Sequence, residues 1–203
     1  MDAYRTLAAP KSHEIDKIKG SRFIGYAQPI GDAQQARAAI DEVRREHPGA
    51  NHHALAWRLR SGLERFSVDG EPFGSAGTPI LRQIDGHDVT DVVVVVVRYF
   101  GGTKLGVGGL VRAYGQAAAN VLDRSDIIEI IPTERVTLVF PYTLSNVVNR
   151  ILASTGLRPI EEAYEEETRF VLDVPTSQSD SLISEVRERS GDRVRIERKS
   201  SEP

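Results

Sequence analysis

Six consecutive valines, Val92–Val97, run into Arg98-Tyr99-Phe100 and then into GGTKLGVGG, where five glycines and one lysine fall within nine residues. β-Branched side chains favour extended backbone, and an unbroken apolar run offers no face to water. The run is therefore expected as a strand at the centre of a sheet with both faces covered. It is far shorter than the ~20 apolar residues that a membrane-spanning helix needs. After the glycines the pattern turns helical, with Leu110, Ala113, Ala117 and Val121 along one face of a helix predicted from about Gly109 to Leu122.

The flanking sequence supplies partners for that strand. Residues 1–20 read as a loose lead-in, and Phe23–Pro29 predicts a strand ending at a turn. Asp32 with Gln35 three residues on is a capping-box pattern. Ala36, Ile40 and Val43 then recur at helical spacing until Pro48-Gly49 stops the helix. His53–Leu59 alternates weakly and predicts a second strand. Residues 69–77, rich in glycine, form a loop, after which Thr78 is expected to cap a short helix with Pro79 at its first position. Asp85-Gly86 reads as a turn. Pro132 marks a boundary.

Beyond it come a strand at Val136–Phe140, a helix at Leu144–Thr155, strands at Pro159–Tyr164 and Arg169–Val174, a helix at Ser179–Ser190 and a strand at Arg193–Glu197. Strand-helix-strand-strand-helix-strand is the ferredoxin-like order.

Composition narrows the function. With 40% apolar and 27% charged residues among 203, the chain has an ordinary globular balance. Net charge is −3, so no bulk polycation is present to coat nucleic acid. Residues 133–203 hold 10 basic and 13 acidic residues, leaving 16 of each in 1–132. The absence of cysteine removes disulfides, thiol nucleophiles and Cys-ligated zinc, and agrees with a reducing cytosol. MDAYRTLAAPKSHEIDK is too polar for a signal peptide. A cytoplasmic protein with no membrane contact is expected.

Glycine lets backbone N–H groups converge on a neighbour, and at a helix N-terminus such groups favour an anion. Gly101, Gly102, Gly106 and Gly108 can form such a cradle, Lys104 can add a point charge, and Arg112 can fork onto a phosphate. Alternatively, the glycines serve sharp turns and tight packing of the helix on the sheet. The Walker pattern fails, because Lys104 follows threonine without the required glycine spacing. The dinucleotide fingerprint fails at Val111. Asp69 and Glu71 can bind a metal or do acid–base work, but a structural ion pair with Arg98 is the stronger expectation. Adjacent His52 and His53 point to opposite faces of a strand and cannot share an ion, which leaves His52 as a polar residue near the glycine loop. No metal or cofactor is expected. Lys17, Lys19 and Arg22 beside Phe23 and Tyr26 mix bases with aromatics, as nucleic-acid surfaces do. Ser21, Ser67 and Ser75 have no nucleophile-elbow context, so no catalytic residue is assigned.

Taken together, DGEPFGSAGTPIL followed by VVVVVVRYFGGTKLGVGGLVRAY closely resembles the YigZ/IMPACT family, over about residues 12–130. Ser21, Arg22 and Phe23 match its first strand and His52 its strand-two histidine. Asp69, Gly70, Glu71, Pro72, Gly74, Gly77 and Pro79 match its acidic loop, and Arg98, Tyr99, Gly101, Gly102, Lys104, Leu105 and Gly106 its signature. Ser75 replaces the commoner threonine. Ala54 stands where many members have cysteine, so no thiol is essential here.

The resemblance implies an α+β chain. Residues 1–132 would have the βαβ-rich fold of the second domain of a ribosomal small-subunit protein, also seen in elongation factor G domain IV. Residues 133–203 would be ferredoxin-like, resembling domain V of that factor. It further implies a regulator of translation whose partner is RNA, the ribosome or a protein of the translation machinery. Eukaryotic members restrain the general-control kinase pathway with the help of an added RWD domain. Only about twenty residues precede the first predicted strand, so that contact is not carried over. The phosphate- or nucleic-acid-binding set is then Arg22, His52, Arg98, Gly101, Gly102, Lys104, Gly106, Gly108 and Arg112. The rival expectation is a nucleotide-dependent small-molecule enzyme using the glycine loop with Mg²⁺ on Asp69 or Glu71, although VGGLVRAY lacks the usual hydroxyls.

Overall fold

The computed structural model describes residues 3–200. The chain divides into two compact units, one over Tyr4–Ile130 and one from Ile131 onward.

The first unit is built around the valine strand. Strands β1 (Tyr4–Leu7), β2 (Lys11–Glu14) and β3 (Arg22–Pro29) lead to helix α1 (Ala33–Glu46). Then come β4 (His52–Arg58), β5 (Glu64–Ser67), α2 (Gly77–Gly86), β6 (Val92–Tyr99), α3 (Val107–Asp123) and β7 (Ile127–Ile130). Five strands form one sheet in the order β2-β3-β6-β4-β5, and every neighbouring pair is antiparallel. The valine run is thus the central strand. Val92, Val94 and Val96 pack with α2 and α3 on one face, and Val93, Val95 and Val97 with α1 on the other. All six are at most 1% exposed, a burial that stabilises by roughly 1.5–3 kcal/mol per side chain.

Asp32 caps α1, its Oδ1 accepting from the amides of Gln34 at 2.7 Å and Gln35 at 2.8 Å. Gln35 Oε1 in turn accepts from Gly31 N at 2.7 Å, one residue before the position that the capping-box pattern implies. Four expectations are corrected. The lead-in expected over residues 1–20 is not loose in its described part, residues 3–20, Met1 and Asp2 lying outside the described residues: β1 pairs with β7, and β2 forms a sheet edge against β3. Thr78 is not a cap, because α2 starts at Gly77 with Ala76 before it and no side-chain cap bond. Asp85-Gly86 is the last turn of α2. Helix α3 begins at Val107, since Gly106, at φ +73°, turns the chain into it two residues early.

The second unit runs β8 (Thr133–Phe140), a 3₁₀ turn (Tyr142–Leu144), α4 (Ser145–Thr155), β9 (Glu161–Tyr164), β10 (Thr168–Pro175), α5 (Thr176–Ser190) and β11 (Arg195–Ser200). Its antiparallel sheet has the order β11-β8-β10-β9. Alternation places Val136, Leu138 and Phe140 of β8 and Phe170, Leu172 and Val174 of β10 on one face. There they pack with Val148 and Ile151 of α4 and Leu182 and Val186 of α5. Phe140 and Phe170 meet edge to face at 5.2 Å. Among the described residues, no helix is long and apolar enough to cross a membrane.

Candidate functional site

The strand β6 ends in Arg98, and this residue organises the region. Its Nη1 donates to Glu71 Oε1 at 2.6 Å and its Nη2 to Ser21 Oγ at 3.4 Å. The Arg98 and Glu71 side chains are 5% and 4% exposed, and Arg98 Nε has no hydrogen-bond partner among the described residues. Tyr114, fully buried on α3, donates its hydroxyl to the same Glu71 oxygen at 2.7 Å. Burial above all, and then this bond, raise the Tyr114 pKa well above the ordinary phenol value. A buried ion pair is sustained when its remaining polar atoms are also bonded. Here tyrosine and serine do much of that.

The acidic loop is held by the same logic. Asp69 and Gly70 both take positive φ, +46° and +84°, which makes the tight turn that brings Glu71 inward. Asp69 Oδ2 accepts from His53 N at 2.7 Å, and its carbonyl accepts from His52 Nδ1 at 2.8 Å. His52 Nε2 lies 3.7 Å from Glu71 Oε1. Expected to be a phosphate ligand, His52 is turned onto the acidic loop instead. His53 is buried beside Asp69, and burial, as the largest effect, holds its pKa below the ordinary histidine value. The ion pair expected between Arg98 and the acidic loop is present, made by Glu71.

Past Arg98 the chain opens out. Phe100 N donates to Asn51 Oδ1 at 2.8 Å and Gly101 N to Ser21 Oγ at 3.1 Å. Gly101 lies so close to Gly20 that no Cβ fits, so this glycine serves packing, as the alternative reading holds. From Gly102 to Gly109 no amide has an acceptor among the described residues; the next, Leu110 N, donates to Gly106 O. Gly102 and Gly106 have positive φ, +86° and +73°, and open space where a Cβ would sit. Lys104 and Arg112 are exposed, and neither makes an ion pair among the described residues. Arg22, by contrast, forks onto Glu14 at 2.8 Å twice and lies over the Tyr99 ring.

The sequence-predicted residues therefore separate. Arg98, Glu71, Asp69 and His52 form an inner lock, while Gly102, Lys104, Gly106, Gly108 and Arg112 share an exposed arc. Three contributors to the lock were missed as a set: Tyr114, Ser21 and Asn51. A tyrosine on the apolar face of α3 was the available signal, since a buried hydroxyl needs a partner.

Residues 19–122 match the model of the Impact N-terminal domain, a span that holds every residue of the lock and the arc. The chain belongs to the IMPACT family. The IMPACT family member YigZ of Escherichia coli is 40% identical over 148 residues, covering 71% of this chain and 69% of that one. An IMPACT family member of Haemophilus influenzae is 32% identical over 194 residues, covering 93% and 94%. A crystal structure described as that of a hypothetical protein covers both chains completely, at a TM-score of 0.69 and 30% identity. The IMPACT likeness to these relatives thus reaches into the second unit.

Proposed function

We propose that this IMPACT protein is an RNA- or ribosome-associated regulator of translation that grips backbone phosphate on the Gly102–Gly109 arc. One observation carries the reading: a run of amides without an acceptor among the described residues leads into the 17-residue helix α3, with two exposed cations, Lys104 and Arg112, in the same segment. Free N–H groups and a helix dipole at one place favour an anion of phosphate size. Arg98 and His52 then act as positioning residues, and Arg22 contributes little because Glu14 already holds it. The translational role rests on the family likeness, as do the domain names, a ribosomal-protein-like first unit and a ferredoxin-like second. The sheet order β11-β8-β10-β9 supports the second name.

The rival reading, a nucleotide-dependent enzyme with Mg²⁺ on Asp69 and Glu71, has its carboxylates already engaged by His53, Arg98 and Tyr114. Ribosome co-sedimentation tests the proposal. Retention should fall steeply between about 50 and 200 mM salt, because neutralised phosphates release counterions. Retention that ignores salt, or none at either concentration, removes it.

A further inference from the structure

Helix α1 packs on one face of the five-stranded sheet, opposite α2 and α3. Between it and the edge strand β2 lies a groove of about 290 Å³, at the small end of ligand-binding pockets. Val93, Val95 and Val43 give the groove an apolar floor, and Gln28, Glu42 and Glu46 line it with polar groups. Tyr26 belongs to the same lining and is locked in place. Its hydroxyl donates to Glu46 Oε1 at 2.8 Å, so His47 Nε2, bonded to the same oxygen, must be the donor there. The other ring nitrogen of His47 bonds the Tyr99 hydroxyl at 2.9 Å. Burial above all raises the Tyr26 pKa, so the ring stays neutral.

The charge in the groove is one-sided. Glu42 and Glu46 stand one helical turn apart on α1, roughly 5–6 Å between Cβ atoms, where like charges destabilise a helix. Glu42 is exposed and makes no ion pair among the described residues. His47 Nε2 lies 3.6 Å from Glu46 but directs its proton to Tyr26. Nearby cations are engaged elsewhere: Arg22 forks onto Glu14, Arg44 faces Asp41 and Asp69, and Arg45 bonds the Asp41 carbonyl. Lys11 pairs with Ala27, whose side chain belongs to the α2 and α3 face, so alternation sends the lysine away from the groove. The last turn of α1 adds the negative end of the helix dipole. An apolar floor, a fixed aromatic ring and two carboxylates without a cation complement an ammonium ion on a hydrocarbon stem.

We infer that this groove binds a short aliphatic diamine or polyamine, with one ammonium on each of Glu42 and Glu46 and the methylene stem against Val93, Val95 and Tyr26. The site is separate from the glycine arc and does not depend on it.

Calorimetric titration of the full chain with putrescine, the four-carbon diamine, tests the inference. Putrescine should bind about fivefold tighter than butylamine, the yield of one further ion pair, and butanol should not bind. Glu42→Gln should weaken putrescine by about the same factor. Ser12→Tyr, from the exposed strand that lines the groove, should abolish binding by filling the space. Both positions are exposed, so the variants retain the fold. Glu165→Gln makes the same change of charge in the second unit and should bind like the wild type. Amide NMR signals of Ala39, Val43 and Tyr26 should move on titration. No binding to the wild type, unchanged binding by Ser12→Tyr, or equal losses in Glu42→Gln and Glu165→Gln overturns the site. Butylamine or butanol binding as tightly as putrescine does the same. A lysine blocked at both main-chain ends that binds as tightly as putrescine overturns the diamine and assigns the groove to a peptide side chain.

Discussion

Gly101 and Gly20 meet backbone to backbone. A Cβ on Gly101 would lie 1.9 Å from the Gly20 carbonyl carbon and 2.2 Å from Ser21 N. Gly101→Ala must therefore push two chain segments apart and should destabilise by roughly 1–3 kcal/mol. Gly108→Ala is the control. Its Cβ meets only Arg112 Nη1, at 3.9 Å, and helix propensity makes the change neutral or stabilising by up to about 1 kcal/mol. Urea denaturation of both variants decides the point, and equal midpoints would contradict the packing account.

The buried pair of Glu71 and Arg98 should dominate the stability of the site. Glu71→Ala leaves a guanidinium buried without its counter-charge and should cost about 3–5 kcal/mol. Tyr114→Phe removes one donor to the carboxylate and should cost about 1.5–3 kcal/mol. Replacing both Glu71 and Arg98 by methionine should recover most of the loss, because neither charge is then stranded. A double variant no better than Glu71→Ala would show that the region depends on something other than charge pairing.

His53 sets an acid sensitivity. Its folded-state pKa lies below the ordinary value of 6.5, so the unfolded chain takes up a proton that the folded chain refuses. Its contribution is complete above 6.5 and is lost as pH falls from there toward the lowered folded-state value. His53→Gln should flatten that part of the stability profile. Denaturation midpoints at a series of pH values measure it, and an unchanged slope would assign the acid sensitivity to another group.

Lys104 and Arg112 should matter for binding and hardly at all for folding. Either alanine variant is expected to keep its stability within about 0.5 kcal/mol, since neither side chain has a hydrogen-bond or ion-pair partner to lose among the described residues. Each should weaken ribosome or oligonucleotide binding and reduce the salt slope by roughly one. Titration at several salt concentrations distinguishes this from a variant that loses affinity with the slope intact, which would place the side chain off the phosphate path.

Local pattern carried much of this fold into view. The valine run announced a doubly covered central strand, Asp32 announced a helix start, and the order of elements after Pro132 was readable from alternation and helical spacing. The pairing of Arg98 with the acidic loop followed from charge and burial. The edge strands β2 and β5 were not legible, because KSHE and ERFS are short and polar and are held extended by hydrogen bonds to β3 and β4.

The roles of Tyr114, Ser21 and Gly101 were decided only in three dimensions. Tyr114 finds Glu71 across 43 positions, and Gly101 finds Ser21 across 80. Periodicity tells a residue which way to face, and it says nothing about what it will meet. The sequence by itself therefore determined the central strand, the glycine-rich exit and the charges available. Only tertiary structure decided which glycine is crowded and which is open, and which cation is locked away and which faces water, because those depend on segments brought together by the closing of the sheet.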